Sequence, residues 1–506
     1  MKGFCIKYIY VILGLFLSLY AFTASATCSI YNSDGSEASS KGDVLYKILS
    51  HQKDCPRDVV VFKSLLEKSS LKSESTMVAN RGFHNPKLGS FSFFEIVYGN
   101  WGEANFLVKK GDFFFGHFTE IKNEEIILDQ IPSENKLMIE LIVWDPKKQL
   151  YNFYELRGTD SASRWFYRGD SLDALKDNTY LYRDVPSGMP KFGNRMRCSA
   201  CHNSGGPIMK EISLPHNDWW RAARPLPLGN HQLDAEVVKQ INAVIEPQIL
   251  SQAVLSGIDQ LENSESYQDF KSQLSLQEQL RPLFCEVEIN LQSDDTPLDN
   301  TKIVSIPSAF FITPFLHEDH FFIDKKNYEN HLVKYNMNFP ETTRNDADHA
   351  WLIPVKGTSD IKAIHTLIDK KIIDNKFAAA VLSIDLQNPI FSSKRCELLR
   401  LVPQEFSPRW QSEFLAALKG SDLPQARALY LQLTNPEYTF DDYVSEAKNI
   451  AYKIQISLKE NQGQRQYFQK MIDSRRAVME SEISENPLGQ ILEPGFRVIF
   501  PQVKQP

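Results

Sequence analysis

The chain is 506 residues long, carries a formal net charge of −7 at pH 7, and is 42% hydrophobic and 24% charged, with 7 cysteines. That length accommodates several domains with sizeable cores. The acidic balance, with no basic block, excludes the electrostatic footprint of a nucleic-acid-binding protein and offers nothing to hold an anionic membrane surface.

Residues 1–26 read as a secretory signal: Lys2 and Lys7 form the charged start, Tyr8 to Phe22 the apolar run, and Ala24-Ser25-Ala26 a small-residue cleavage site. The mature chain is then expected to begin at Thr27. No later apolar stretch is long enough to cross a bilayer, so no integral membrane span is expected after signal removal, and the protein is placed in the periplasm. Cys5 leaves with the signal, and Cys198 and Cys201 sit three residues apart beside His202. Cys28, Cys55, Cys285 and Cys396 remain. An even remainder in an oxidising compartment predicts two disulfides, and segment proximity favours Cys28 with Cys55 and Cys285 with Cys396.

The region 27–89 reads as an N-terminal helical hairpin and linker. Val44, Leu45, Ile48 and Leu49, then Val60, Phe62, Leu65 and Leu66, recur at helical spacing, interrupted at Cys55-Pro56. Ser69 to Gly89 is polar and rich in Ser and Lys, as a linker or loop would be. Over 90–168 the signal changes to aromatic-rich strands at 91–98, 113–118, 137–144 and 150–156, with Asp145-Pro146-Lys147-Lys148 closing the last two into a hairpin. An antiparallel sandwich or small barrel is expected here, half-buried, with its Phe and Tyr residues in the core.

The segment 169–230 holds Arg197-Cys198-Ser199-Ala200-Cys201-His202, followed by Asn203-Ser204-Gly205-Gly206-Pro207. Two cysteines at this spacing with histidine next to the second are what covalent haem attachment requires: two thiols for the vinyl groups and an imidazole for the iron. With 7 Cys and 11 His in the chain, composition alone produces C-x-x-C-H only about 0.002 times per chain. A redox dithiol usually follows a strand, which 189–195 is not, and a structural zinc site needs a second ligand pair. The segment resembles c-type cytochromes over some 50 residues, through Cys198, Cys201 and His202 and through Gly206-Pro207. The resemblance implies one covalent haem c, held by Cys198 and Cys201, with His202 as axial iron ligand. It also implies that Pro207 supplies a carbonyl that accepts the free N–H of His202 and fixes its orientation. The tandem tryptophans Trp219-Trp220 either wall the haem pocket or serve as core and interface.

Mixed α/β structure is expected over 231–406. Asp234 to Leu261 has an apolar helical face broken or kinked at Pro247, and a second helix covers Tyr267 to Leu280. Phe284 to Leu291 alternates like a strand, and Ala378 to Leu386 reads as another; a bridge from Cys285 to Cys396 would tie them in one sheet. The remainder, 407–506, is largely helical to Ser484 and closes on a short strand at 496–500. The fold class is therefore α+β: an antiparallel aromatic-rich β region, a small haem c segment and a largely helical C-terminal part.

What sits opposite His202 would decide the chemistry, since methionine raises a haem potential, histidine lowers it, and an open position admits ligands or peroxide. Between Met209 and Met337 the chain has no methionine. The distal candidates are His216 and Met189, with His231 the next imidazole. His317-Glu318-Asp319-His320 and Asp346-Ala347-Asp348-His349 are weaker metal-ligand clusters, read as solvated loops. Electron transfer with a redox partner protein is the leading expectation. The alternatives are a peroxidase-like haem oxidoreductase with His216 as distal acid/base, or a haem-based sensor or binding module.

Overall fold

The four aromatic runs become neighbouring strands of one nine-stranded sheet. The structure, a computed structural model, describes residues 27–470 except 33, 80–90, 103–105, 131, 133–135, 160–161, 179–201, 203, 209–225, 227, 286–288, 294–301, 308–319, 335–337, 340–343, 346–351, 389–391 and 468. The expected signal at 1–26 and strand at 496–500 lie outside the described residues.

In chain order the elements of the first half are β1 (Ile30–Tyr31), α1 (Val44–Ser50), α2 (Val59–Lys68), β2 (Leu71–Ala79), β3 (Phe91–Trp101), β4 (Phe106–Lys122), β5 (Glu125–Leu128), β6 (Leu137–Asp145), β7 (Leu150–Gly158), β8 (Ser163–Asp170), α3 (Ser171–Asn178), β9 (Gln232–Leu233), α4 (Ala235–Asn242), α5 (Pro247–Glu262), α6 (Glu265–Ser272) and α7 (Leu276–Phe284). The sheet order is β1-β8-β7-β6-β4-β3-β2, with β5 and β9 extending from β4. All pairings are antiparallel except β1 with β8 and β5 with β9.

Helices cover both faces of this sheet, so it is neither a sandwich nor a barrel, and it is not half-buried. Phe91, Phe93, Phe113, Phe115, Tyr154 and Trp165 point into one core with α1, α2 and α4. Ile96, Phe114, Ile142, Tyr151 and Phe153 point into another with α3, α5 and α6. Strands buried on both faces read as continuous apolar runs, which is why no clean in-out alternation marks them. Asp43 and Asp58 cap α1 and α2 by accepting from Tyr46 N and Val61 N. The Cys28–Cys55 disulfide staples the hairpin, and Trp165 Nε1 donates to Pro56 O at 2.9 Å from the sheet.

Several sequence expectations are corrected. Residues 71–79 are the edge strand β2 rather than linker, paired with β3 from Leu71↔Gly99 to Ala79↔Phe91. The single helix expected over Tyr267 to Leu280 is two, because Ser264 and Ser275 each cap a new start. Phe284 ends α7, and the strand begins only at Ile289. Ala378 to Leu386 is not a strand: helix Asn375–Ser383 is capped by Asp374, its alanines are strong helix formers, and burial all round erases the helical period.

The Cys285–Cys396 disulfide forms, tying the end of α7 to helix Ser393–Glu397 rather than closing a sheet. Two buried cations complete that junction. Lys356 Nζ donates to Pro282 O at 2.7 Å and Cys285 O at 2.8 Å, and Arg395 Nε donates to Phe284 O at 3.2 Å. Together they satisfy carbonyls that a helix C-terminus leaves without partners. Helices Trp410–Lys419, Pro424–Thr434 and Phe440–Ser457 pack around the same core, as the helical C-terminal expectation requires. Among the described residues no helix is long and apolar enough to cross a membrane.

Candidate functional site

His202 and the residues Ser204 to Ile208 are described, whereas Cys198, Cys201, Met189 and His216 lie outside the described residues. His202 is half-buried, and Ser204, Gly205, Gly206 and Pro207 are buried. They form a tight loop closed by two bonds. Gly205 N donates to His202 O at 2.9 Å, and His202 Nδ1 lies 2.7 Å from Gly206 O. A carbonyl oxygen only accepts, so Nδ1 carries the hydrogen, and in the neutral ring the lone pair lies on Nε2.

The acceptor carbonyl thus belongs to Gly206, one residue before Pro207. Pro207 acts on it through their shared peptide bond, since a proline confines the preceding residue to extended conformations and so aims that carbonyl. Gly205 has φ +77, the left-handed region that favours glycine, and a Cβ there would lie 2.3 Å from Ser171 O. Only glycine lets the loop approach the start of α3 so closely.

Elements distant in sequence build the floor. The ring of Phe153 on β7 lies 5.4 Å from the His202 ring at 51°. Tyr267 on α6, fully buried, donates its hydroxyl to Ser204 O at 2.6 Å. Gly257 on α5 makes room for Pro207: a Cβ there would lie 2.6 Å from Pro207 Cγ and 2.7 Å from Tyr151 Oη. The Tyr151 hydroxyl donates to Gly111 O at 2.6 Å, and burial holds its pKa well above the usual tyrosine range, so it stays a donor. Sequence reasoning missed Phe153, Tyr267 and Gly257; the tandem Gly205-Gly206 was the one local signal of a loop packed this tightly.

A second histidine occupies the opposite face. His117 on β4 stacks between Phe93 and Phe115, with centroids 5.1 and 5.7 Å away. Its Nε2 donates to Glu95 Oε1 at 3.0 Å. The same oxygen accepts from Lys63 Nζ at 2.6 Å and Gln240 Nε2 at 2.9 Å. Burial pushes the Glu95 carboxyl up, but the Lys63 ammonium and the His117 hydrogen bond outweigh it and hold it at about 2. Burial pulls the His117 imidazole below its usual value, so that ring is neutral.

Of the weaker candidates, His231 immediately precedes β9, and His320 begins the strand His320–Asp324, paired with Pro307. Residues 317–319 and 346–349 lie outside the described residues. Among the described residues no group of three or more His, Cys, Asp or Glu is arranged to hold a metal ion. Comparison of the chain with protein-family models, with curated proteins and with solved structures finds no match.

Proposed function

We propose that the protein is an exported c-type cytochrome that carries one covalent haem and transfers electrons to or from a redox partner protein. The observation that carries this reading is the 2.7 Å bond between His202 Nδ1 and the Gly206 carbonyl. A metal-ligating histidine almost always gives its other N–H to a carbonyl or carboxylate, which fixes the tautomer and raises the basicity of the ligating nitrogen. The donor set fits a haem c: two thiols at Cys198 and Cys201, and an imidazole at His202 whose Nε2 bears the lone pair.

In this reading Cys198 and Cys201 hold the porphyrin by thioether bonds, and His202 binds the iron. Phe153 backs the His202 ring, and Gly206 keeps its proton on Nδ1. His216 and Met189 are the distal candidates. Bound haem supplies a metal that changes charge by one electron. The two disulfides support an oxidising compartment, in keeping with export to the periplasm.

The test is to produce the full chain in a bacterial host with a working cytochrome c assembly system. Haem that stays with the polypeptide under denaturing conditions, and is lost in Cys198→Ala/Cys201→Ala, is the expected result; a wild-type chain without covalent haem overturns the proposal. Visible and near-infrared spectra then separate the roles. Low-spin six-coordinate iron supports an electron carrier, and high-spin five-coordinate iron redirects the reading to a peroxidase-like enzyme or a sensor.

A further inference from the structure

We propose that Tyr267, far from the C-x-x-C-H motif in sequence, is a positioning residue for His202, acting through the Ser204 carbonyl to hold the turn that aims the imidazole. The inference rests on the haem c reading. It adds a named side chain outside the haem segment that tunes the axial ligand.

The geometry runs in three short steps. Tyr267 is anchored on α6, where its backbone N–H donates to the Ser264 side chain at 3.1 Å at the helix start. Its hydroxyl reaches out of the helix and donates to Ser204 O at 2.6 Å. Ser204 lies between the two ends of the turn, with the Gly205 N–H on His202 O at 2.9 Å and the Gly206 carbonyl on His202 Nδ1 at 2.7 Å. The hydroxyl therefore grips the turn at its middle, while Ser171 and Gly257 confine it on either side.

Tyr267→Phe removes this one hydrogen bond and keeps the buried ring that packs α6 against the sheet. What changes is the freedom of the turn. When the Gly206 carbonyl wanders, the Nδ1–H bond lengthens and His202 becomes a less basic ligand. A less basic ligand stabilises ferric iron less than ferrous iron, so the reduction potential rises. Loss of a ligand's direct hydrogen-bond partner changes metal affinity or activity by about tenfold to a hundredfold, and Tyr267 acts one step further out, so its effect lies at or below the lower end. An upward shift of up to about tenfold in the ferrous-to-ferric ratio at fixed ambient potential is therefore expected in Tyr267→Phe, equivalent to about 59 mV for a one-electron couple.

Two measurements on the full chain test this. In haem-loaded protein, Tyr267→Phe is expected to keep its covalent haem and raise the reduction potential. In haem-free Cys198→Ala/Cys201→Ala protein, histidine nitrogen NMR is expected to show His202 as the Nδ1–H tautomer, and Tyr267→Phe to mix the tautomers. Unchanged potential with unchanged tautomer, at equal haem content, overturns the inference while leaving the haem reading intact. A wild-type chain that takes up no covalent haem overturns the haem reading, and the tautomer measurement still decides whether Tyr267 positions His202. A drop in melting temperature with neither readout moving assigns Tyr267 a packing role only, which also overturns the inference.

Discussion

Two histidines rest against phenylalanine rings on opposite faces of one sheet, and they are held as opposite tautomers. His117 gives Nε2–H to the Glu95 carboxylate, leaving the Nδ1 lone pair buried between Phe93 and Phe115 with no hydrogen-bond partner among the described residues. His202 gives Nδ1–H to a neutral backbone carbonyl four residues along its own chain, leaving the Nε2 lone pair on a half-buried ring. An acceptor chooses the tautomer, and so decides which ring nitrogen keeps the lone pair. His117 is a structural member of an ion-paired cluster, whereas His202 is the imidazole that the haem c proposal assigns to the iron.

Breaking the buried cluster should cost the most stability. Glu95→Gln leaves the Lys63 ammonium without its counterion and is expected to lower unfolding free energy by about 3 kcal/mol, measured by denaturant titration, and in the haem c reading to leave the haem spectrum unchanged. A spectral change would show that the two faces are coupled. Acid should remove the same contribution by titration. The native Glu95 carboxyl sits at about 2, below its ordinary 4.5, so between these values the unfolded chain binds more protons than the folded one. The contribution is complete above about pH 4.5 and is lost as pH falls towards 2, and this part of the pH–stability profile should be missing in Glu95→Gln.

The opposite face should respond with smaller stability changes and, in the haem c reading, larger spectral ones. Gly205→Ala combines a φ of +77 with a Cβ 2.3 Å from Ser171 O and is expected to cost about 2 kcal/mol and to disturb the iron ligand signature. His202→Ala removes the bond to the Gly206 carbonyl, worth about 1 kcal/mol, and in the haem c reading should abolish the wild-type haem spectrum. If His202→Ala proves the more destabilising of the pair and leaves the spectrum intact, His202 is structural and the contrast with His117 collapses.

Much of the sheet was legible because its strands are long aromatic runs, and Pro247 marked the start of α5 as a break. Both disulfide pairings were legible from cysteine number and proximity. The helix Asn375–Ser383 was not, because a helix buried on every side has no polar face to reveal its period. Strand β2 was missed because an edge strand carries polar residues such as Lys72, Ser73 and Glu74. The motif singled out His202, but the contacts around its turn come from Phe153, Ser171, Gly257 and Tyr267, joined only by folding. No local pattern encodes a tyrosine hydroxyl meeting a carbonyl 63 residues away.

The Gly205 amide gives the turn its own clock. Its proton is buried and bound to the carbonyl of His202 itself, so exchange with deuterium requires that turn to open. Pro207 carries no amide proton, and its ring cannot report on the same event. The exchange rate of this single glycine therefore measures how often the turn that starts at His202 opens, in seconds or hours.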